Sequence, residues 1–257
     1  MSSKLNKNQK EKLRQFIVFT QTTEQIAITC LSNANWSLEM ACDIFYQNPS
    51  YFAQVDQSLD MRRIDSLFSR YANDPADKVE PNRIGPNGMG RLLTDLNVNP
   101  TDRIVLAFAW KLKAERQCEF SNAEFRDGLL AMKVDSLDKL RARLPKLNEE
   151  LNDPVKFREF YQFTFQYAKS VSQRSLELEM AICYWQLIFT GLADRRVDLW
   201  IDFLRQKNVK GIPRDTWNLF LDFLQSTSPD YSNYDCEGAW PVLIDEFVDY
   251  ARAQAKN

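Results

Sequence analysis

The sequence contains no histidine in 257 residues. Such a chain cannot supply a Ser-His-Asp or Cys-His catalytic pair, a histidine-ligated zinc ion or a histidine pH switch. Its five cysteines are an odd number and widely spread, without the Cys-x-x-Cys pair typical of zinc and redox sites. We interpret them as reduced cytosolic or nuclear thiols, and we expect no cofactor and no metal. They are Cys30, Cys42, Cys118, Cys183 and Cys236.

Glycine is also scarce, with seven residues, and the chain has no run of about 18 apolar residues that could cross a membrane. Aromatic residues make up 12% and apolar residues 44%, which favours packed helices over a many-stranded sheet. The start, Met1-Ser2-Ser3-Lys4, lacks an apolar signal core and the glycine that myristoylation needs. We therefore expect an all-α, soluble intracellular protein of the nucleus and cytoplasm without a membrane partner.

The length exceeds the roughly 100 to 200 residues of a typical domain, so two domains are expected. The boundary is placed between Pro49 and Met61, where residues 54–58 are polar and lack helical periodicity. This gives a module at residues 8–46 and a larger domain at residues 60–254. The predicted helices are Asn8–Phe19, Thr23–Ala34, Ser37–Tyr46, Met61–Tyr71, Pro86–Leu96, Pro100–Lys113, Ser121–Met132, Ser136–Leu144, Pro154–Ala168, Glu177–Thr190, Asp194–Gln206, Pro213–Leu224 and Pro241–Gln254.

The N-terminal module resembles a ubiquitin-associated domain in the order of its helices and apolar positions. Ubiquitin is therefore a candidate partner. That family commonly carries a Met-Gly-Phe-like loop for contacting ubiquitin, whereas this chain has Phe19-Thr20-Gln21-Thr22, so ubiquitin binding stays open. The predicted core residues are Phe16, Phe19, Ile26, Leu31, Trp36, Leu38, Ala41 and Phe45.

Several helix starts in the larger domain carry a local signal. Asn99-Pro100 places a cap residue before a proline, and Ser121 with Glu124 forms a capping-box pattern. Pro213 and Pro241 suit the first turns of two later helices.

A tract near the C-terminus has no basic residue. Between Arg214 and Arg252 there are eight acids, so the overall charge of −2 leaves the remainder of the chain at +6. Such a tract steers a basic partner and has the wrong sign for nucleic acid, so no nucleic-acid partner is expected. A solvated helix face is the alternative interpretation. The acids are Asp215, Asp222, Asp230, Asp235, Glu237, Asp245, Glu246 and Asp249.

Two segments between predicted helices have the outline of calcium-binding hands. They are Asn73-Asp74-Pro75-Ala76-Asp77 and Gln117-Cys118-Glu119-Phe120-Ser121. Neither has the alternating Asp/Asn ligands, central glycine and final glutamate in register. We predict degenerate EF-hand-like helix-loop-helix units without metal, with a calcium-responsive binding protein as the alternative function.

The predicted helix after Pro100 carries one apolar stripe. Val105, Phe108, Ala109 and Leu112 share a face, and other faces of the helix are also apolar. The stripe is interpreted as core, with a hydrophobic pocket for a partner's anchor residue as the alternative.

Longer strings resemble the defective-in-cullin-neddylation family, over nearly the whole chain. The most specific are Asp215-Thr216-Trp217-Asn218-Leu219 and residues 234–245, which read Tyr-Asp-Cys-Glu-Gly-Ala-Trp-Pro-Val-Leu-Ile-Asp. Residues 117–120, 160–165 and 176–181 match the same family.

The resemblance implies a scaffold co-ligase with two protein partners. One is the C-terminal winged-helix domain of a cullin, and the other is the acetylated N-terminal methionine of the conjugating enzyme charged with the modifier. Holding both would make the transfer nearly intramolecular, so the adaptor would need no nucleophile of its own.

The family's contact residues map onto positions of this chain. The resemblance implies that Asp215, Ala239 and Asp245 contact the cullin, and all three lie inside the acidic tract. For the acetylated methionine it implies a pocket formed by Met89, Val105, Phe108, Ala109, Leu112, Gln117, Cys118, Phe120, Tyr167, Tyr184 and Leu187.

Overall fold

A computed structural model describes residues 5–20, 22, 24–47, 60–170, 172–192 and 194–255. The chain divides into two compact units, Met1–Met61 and Arg62–Asn257. Most of the boundary segment expected from the sequence, residues 48–59, lies outside the described residues.

The described residues form thirteen helices and four short strands, numbered in chain order. The first unit contains Lys7–Thr20 (α1), Glu24–Asn33 (α2) and Leu38–Gln47 (α3). The remaining helices are Met61–Tyr71 (α4), Pro86–Leu96 (α5), Arg103–Leu112 (α6), Asn122–Ala131 (α7), Leu137–Glu150 (α8), Pro154–Ala168 (α9), Leu178–Ile188 (α10), Arg195–Gln206 (α11), Arg214–Ser226 (α12) and Val242–Gln254 (α13). The strands are Arg83–Ile84 (β1), Phe120–Ser121 (β2), Ser175–Glu177 (β3) and Gly211–Pro213 (β4). The predicted all-α class is confirmed, although the strands were not expected.

The three helices of the first unit pack around one small core. Phe19 was expected in this core, but 61% of it is exposed in the last turn of α1, whereas Phe16 is fully buried. The hydroxyl of Tyr46 in α3 donates to the Phe19 carbonyl at 3.0 Å. The buried core residues are Leu13, Phe16, Ile26, Ala27, Cys30, Leu31, Ala34 and Ala41.

The second unit contains two pairs of helix-loop-helix segments, and short antiparallel strands join each pair. β1 pairs with β2 and places Ile84 opposite Phe120, while β3 pairs with β4 and places Leu176 opposite Ile212. All four side chains are buried at 1% exposure or less. This arrangement matches the predicted degenerate EF-hand-like units, but the second pair was missed because its loops lack any calcium-ligand pattern.

In the loop between α4 and α5, the carboxylate of Asp77 caps the start of α5. Asp77 accepts hydrogen bonds from the backbone N–H groups of Asn87 and Gly88 at 2.8 and 3.1 Å, in the first turn of α5. Slight burial works against ionisation, but these hydrogen bonds hold the pKa of Asp77 below its usual value. The carboxylate is thus occupied by backbone donors, which weighs against the calcium-responsive alternative.

Most helix boundaries differ from those expected, and three helix starts show why. α6 begins at Arg103 rather than Pro100, because Asp102 is the N-cap and accepts the backbone N–H two residues later at 2.9 Å. The predicted capping box at Ser121 and Glu124 is confirmed. Pro213 and Pro241 occupy N-cap positions, one residue before the helices that they were expected to begin.

α8 continues beyond its predicted end at Leu144 and reaches Glu150. Pro145 lies inside this helix, although proline lacks the N–H that an interior position donates. Leu144 and Leu147 are buried on either side of it, and Lys111 binds the Glu150 carboxylate at the helix end. Tertiary contacts therefore outweigh the local helix-breaking tendency.

A buried aromatic group joins three helices of the second unit. The Tyr161 hydroxyl donates to the Trp217 carbonyl at 2.9 Å and accepts the Trp185 indole N–H at 2.8 Å. The Trp217 indole N–H donates in return to the Tyr161 carbonyl at 3.0 Å. The two tryptophan rings stack with centroids 4.9 Å apart. These contacts fix α9, α10 and α12 relative to one another.

Gly88 lies where α5 passes the end of α4, and we expect Gly88→Ala to destabilise the second unit. A Cβ at this position would lie 2.1 Å from the Tyr71 carbonyl oxygen, so backbone must shift. Overpacking of this kind costs about 1–3 kcal/mol in the free energy of unfolding, measured by denaturant titration. Gly90→Ala is the matched control in the same helix, because nothing lies within 4 Å of its Cβ position. Equal stability of the two variants would contradict the expected clash.

None of the helices in the described ranges has both the length and the apolar character needed to span a lipid bilayer.

Candidate functional site

The acidic tract is only partly neutralised by cations from elsewhere in the fold. Arg158 of α9 pairs with Asp222, and Lys207 pairs with Glu246 of α13. The other six acids of the tract make no ion pair within the described ranges. This surface therefore keeps a negative charge that a basic partner could neutralise. The six unpaired acids are Asp215, Asp230, Asp235, Glu237, Asp245 and Asp249.

The three residues expected to contact a cullin lie on two helix starts and one loop. Asp215 is exposed in the first turn of α12, and Asp245 is half-buried in the first turn of α13. Ala239 is exposed in the loop that connects these helices. A carboxylate in the first turn of a helix interacts favourably with the helix dipole.

Tyr234 links Asp245 to the loop that carries Ala239. Its hydroxyl donates to Asp245 Oδ1 at 2.5 Å, and its ring stacks on Trp240 with centroids 5.9 Å apart. Burial and this hydrogen bond raise the pKa of Tyr234, so the hydroxyl remains a donor at neutral pH. Ala239 is the residue before Trp240, so the loop that carries it is linked through Tyr234 to Asp245.

Asp215 stands apart from this group. No contact in the described ranges links it to Ala239 or Asp245. It shares α12 with Phe223, which packs against both Tyr234 and Trp240, but it precedes Phe223 by two turns, about 12 Å along the axis. The structure therefore places Asp245 in a contact group with Trp240, the chain neighbour of Ala239, and leaves Asp215 in the first turn of α12.

Tyr234 contributes to the site, but the sequence analysis did not predict its contact with Asp245. It stands in the family string, but its bond joins residues 11 positions apart across a turn. No periodicity predicts that pairing.

The positions expected to hold an acetylated methionine separate into an interior and a rim. Tyr167 is buried at 7% exposure, while Val105, Tyr184 and Leu187 are half-buried and Gln117 and Cys118 are exposed. The interior positions, at 6% exposure or less, are Met89, Phe108, Ala109, Leu112 and Phe120. The apolar stripe of α6 is thus mainly core, with Val105 at its accessible end.

Contacts bring α6, the β2 loop and α9 together at this rim. The Gln117 side-chain amide donates to the Ala168 carbonyl at 2.8 Å, and the Cys118 backbone N–H donates to the Tyr167 hydroxyl at 3.3 Å. Phe108 and Phe120 meet edge to face, with centroids 5.8 Å apart. Buried apolar side chains thus lie next to exposed polar ones here, the combination that small-ligand sites use.

Tyr184 of α10 belongs to the same group. Burial raises its pKa, and the nearby Tyr167 and Cys118 add to the effect. Burial likewise raises the pKa of Cys118, and Glu119 contributes. Since the thiolate is the reactive form, the raised pKa makes Cys118 a poor nucleophile at neutral pH.

One cavity of about 360 Å³ lies elsewhere, between the end of α10 and the start of α11. Gln186, Phe189 and Val197 are among its lining residues, and it shares none with either predicted set.

Glu150, at the end of α8, pairs with Lys111 of α6. We expect Glu150→Gln to remove a part of the free energy of unfolding that the natural chain loses in acid. Partial burial opposes ionisation, but hydrogen bonds from Lys111 and Arg143 outweigh it and lower the pKa from 4.5 to about 2. A lowered folded-state pKa stabilises the fold above pH 4.5, and this contribution is lost as the pH falls towards 2. At pH 7 the substitution should lower the free energy of unfolding by about 2–3 kcal/mol.

The measurement is denaturant unfolding between pH 7 and pH 2. Glu149→Gln is the matched control, because Glu149 is exposed and makes no ion pair in the described ranges. A Glu150→Gln variant as stable as this control at pH 7 would contradict the assignment.

Comparison with known proteins agrees with these features. Residues 139–250 match the cullin-binding family model, and residues 10–50 match a UBA-like domain. The chain is 45% identical to Defective in cullin neddylation protein 1 of Caenorhabditis elegans, over 97% of this chain and 92% of the worm protein. The chain belongs to the defective-in-cullin-neddylation family. DCN1-like protein 3 of Homo sapiens is 41% identical over 77% of this chain and 64% of the human protein. DCN1-like protein 3 of Xenopus tropicalis is also 41% identical, over 77% of this chain and 65% of the frog protein.

Family membership gives the chain a role in cullin neddylation and cullin binding. Asp215, Ala239 and Asp245 all lie within the matched cullin-binding residues, whereas Met89, Val105 and the other pocket positions up to Phe120 precede them. The UBA-like match covers most of the first unit, which confirms that part of the sequence interpretation.

Proposed function

We propose that this family member is a non-catalytic co-ligase that holds a cullin and a charged conjugating enzyme at the same time. The cullin's C-terminal winged-helix domain docks on Asp215, Ala239 and Asp245. The observation that carries this proposal is the contact group of Tyr234, Trp240 and Asp245, set in a tract where six of the eight acids make no ion pair within the described part of the chain.

The cullin side calls for a basic partner surface. Asp245 has one carboxylate oxygen committed to Tyr234, which leaves the other available to a partner's lysine or arginine. Ala239 is small and exposed in the loop before α13, so a docking surface can approach closely. A larger side chain at position 239 would hold that surface away.

The second partner is the conjugating enzyme, bound through its acetylated N-terminal methionine. The rim formed by Gln117, Tyr167 and Tyr184 surrounds an apolar interior. Acetylation removes the charge of the terminal amine, which would be costly to bury there. The thioether side chain of methionine fits an apolar site of irregular shape.

Catalysis is by positioning. With both partners held on one scaffold, the acceptor lysine meets the charged modifier at a high effective concentration. The absence of histidine and the raised pKa of Cys118 both agree with a scaffold that supplies no nucleophile.

A reconstituted reaction tests this function. With purified cullin, modifier and charged conjugating enzyme, the chain should raise the initial rate of cullin modification about 10-fold or more. No thioester should form between Cys118 and the modifier on a non-reducing gel, since the thiol supplies no nucleophile. No acceleration, or a thioester between Cys118 and the modifier, would contradict the proposal.

The UBA-like unit is proposed to bind ubiquitin through an exposed apolar patch. Val18 and Phe19 lie in the last turn of α1, and Tyr46 lies in the last turn of α3, with exposed fractions of 72%, 61% and 61%. The bond from Tyr46 to the Phe19 carbonyl brings the two helix ends together. Exposed apolar side chains gathered in this way are typical of an interaction surface.

Phe19→Ala should weaken ubiquitin binding about 5- to 10-fold, measured by nuclear magnetic resonance titration. Lys10→Ala, on an exposed position of the same helix, is the control and should bind normally. Ubiquitin affinity unchanged by Phe19→Ala would exclude this surface.

A further inference from the structure

The segment between α12 and α13, residues 227–241, contains no helix or strand. It nevertheless carries Ala239 and Trp240 and ends one residue before the helix of Asp245. A segment without ladder hydrogen bonds is fixed by its turns and by side-chain and capping contacts. The positions of Ala239 and Trp240 therefore depend on what holds this segment, here called the α12–α13 loop.

Arg196 of α11 holds the beginning of the loop. It is 8% exposed, and its guanidinium donates to the carbonyls of Leu224, at 2.8 Å, and Thr227. Asp194 pairs with the same guanidinium at 2.6 Å. The two carbonyls belong to the last turn of α12 and the residue after it, where a cation is favoured by the helix dipole and satisfies acceptors that the helix leaves free.

The middle of the loop is held by a turn and by a second arginine. Asn233 Oδ1 accepts the Ser228 backbone N–H at 2.7 Å, and its side-chain amide donates to the Ser226 carbonyl at 2.9 Å. Arg252 of α13 donates to the Tyr231 carbonyl at 2.7 Å. The Tyr231 ring is buried, so this point of the loop is anchored on both sides.

These contacts form a continuous path to the docking residues. The loop passes from Thr227, bound by Arg196, to Tyr231, bound by Arg252, and then to Tyr234, which binds Asp245. The tract itself contains no Lys or Arg, so the cations that hold the loop come from outside it.

We infer that Arg196 is a positioning residue for the cullin-docking surface, acting through the α12–α13 loop. The inference rests on the proposed docking of a cullin at Ala239 and Asp245. Arg196 does not contact the partner. It fixes the end of α12 and the start of the loop, so that Tyr234 reaches Asp245 and Ala239 is presented in one place.

The test compares two affinities on the same full-length variants. Arg196→Met removes the donors and keeps most of the side-chain volume, and Arg196→Lys keeps the charge but not the forked geometry. With a purified cullin winged-helix domain as the probe, Arg196→Met should bind about 10-fold more weakly, and Arg196→Lys should recover part of the loss. An acetyl-Met peptide should bind both variants within about 2-fold of the natural chain, because the pocket residues lie on other elements.

This second affinity distinguishes positioning from general destabilisation. A folded Arg196→Met variant that binds the cullin domain as tightly as the natural chain would overturn the inference. Equal weakening for both probes would also overturn it, since it would indicate a purely structural role. Failure of the natural chain itself to bind the cullin domain would remove the proposed function and this inference together.

Should Arg196→Met fail to fold, Arg252→Met tests the same path from an exposed position that holds the middle of the loop. It removes only the donor to Tyr231 and should weaken cullin-domain binding about 3- to 5-fold, with the peptide affinity unchanged. Cullin-domain binding equal to that of the natural chain would contradict the path through the loop.

Discussion

The combined variant Asp245→Lys, Ala239→Arg is expected to lose at least about 100-fold in affinity for a cullin winged-helix domain. The first change reverses the charge that faces a basic partner and removes the acceptor of Tyr234. The second places a long cation on an exposed alanine and obstructs close approach. Calorimetric titration of both chains with the purified domain measures the loss.

The matched control is Asp249→Lys. Asp249 lies one turn further along α13, is exposed and makes no ion pair in the described ranges. Its substitution makes the same change in charge as Asp245→Lys, so a loss below about 5-fold separates local docking from a general electrostatic effect. A control that loses as much affinity as the docking variant would mean that only net charge matters.

The second large effect is expected at the methionine pocket. Leu187→Glu places a carboxylate among half-buried and buried apolar groups on α10, where burial of an unpaired charge is costly. Binding of an acetyl-Met peptide should fall about 30-fold or more, while affinity for the cullin domain stays within about 2-fold. Fluorescence anisotropy of a labelled peptide measures the first affinity, and calorimetry the second.

Gln186→Glu is the control for this substitution. It introduces the same carboxylate at the neighbouring position, but the Gln186 side chain is exposed. The control should bind the peptide normally, and it should discriminate acetylated from unacetylated peptide as the natural chain does. If Leu187→Glu bound as tightly as this control, the pocket would lie elsewhere.

The sequence predicted the helical framework well because most of its helices carry an unambiguous local signal. Ser121 with Glu124 is such a case, since all the atoms of the capping box lie within four residues. α8 is the opposite case. Its passage through Pro145 depends on Lys111, which binds Glu150 from a different helix, and no local pattern contains that contact.

The candidate site shows the same division. The apolar stripe and the acidic tract could be found by periodicity and counting, and the family strings supplied the contact positions. The residues that hold those positions could not be found in this way. Tyr234 reaches Asp245 across a turn, and Arg196 reaches Thr227 over a separation of 31 positions. Such pairs are set by the packing of α11, α12 and α13 rather than by local propensity.

The central claim is that one molecule must hold both partners, and a mixing experiment tests it most directly. The double variant Asp245→Lys, Ala239→Arg lacks the cullin site and keeps the methionine pocket. The variant Leu187→Glu lacks the pocket and keeps the cullin site. In the reconstituted reaction an equimolar mixture of the two should modify the cullin no faster than the reaction without the protein, because neither molecule bridges the partners. Restoration of the natural rate by the mixture would contradict positioning and would mean that each partner is activated by separate binding.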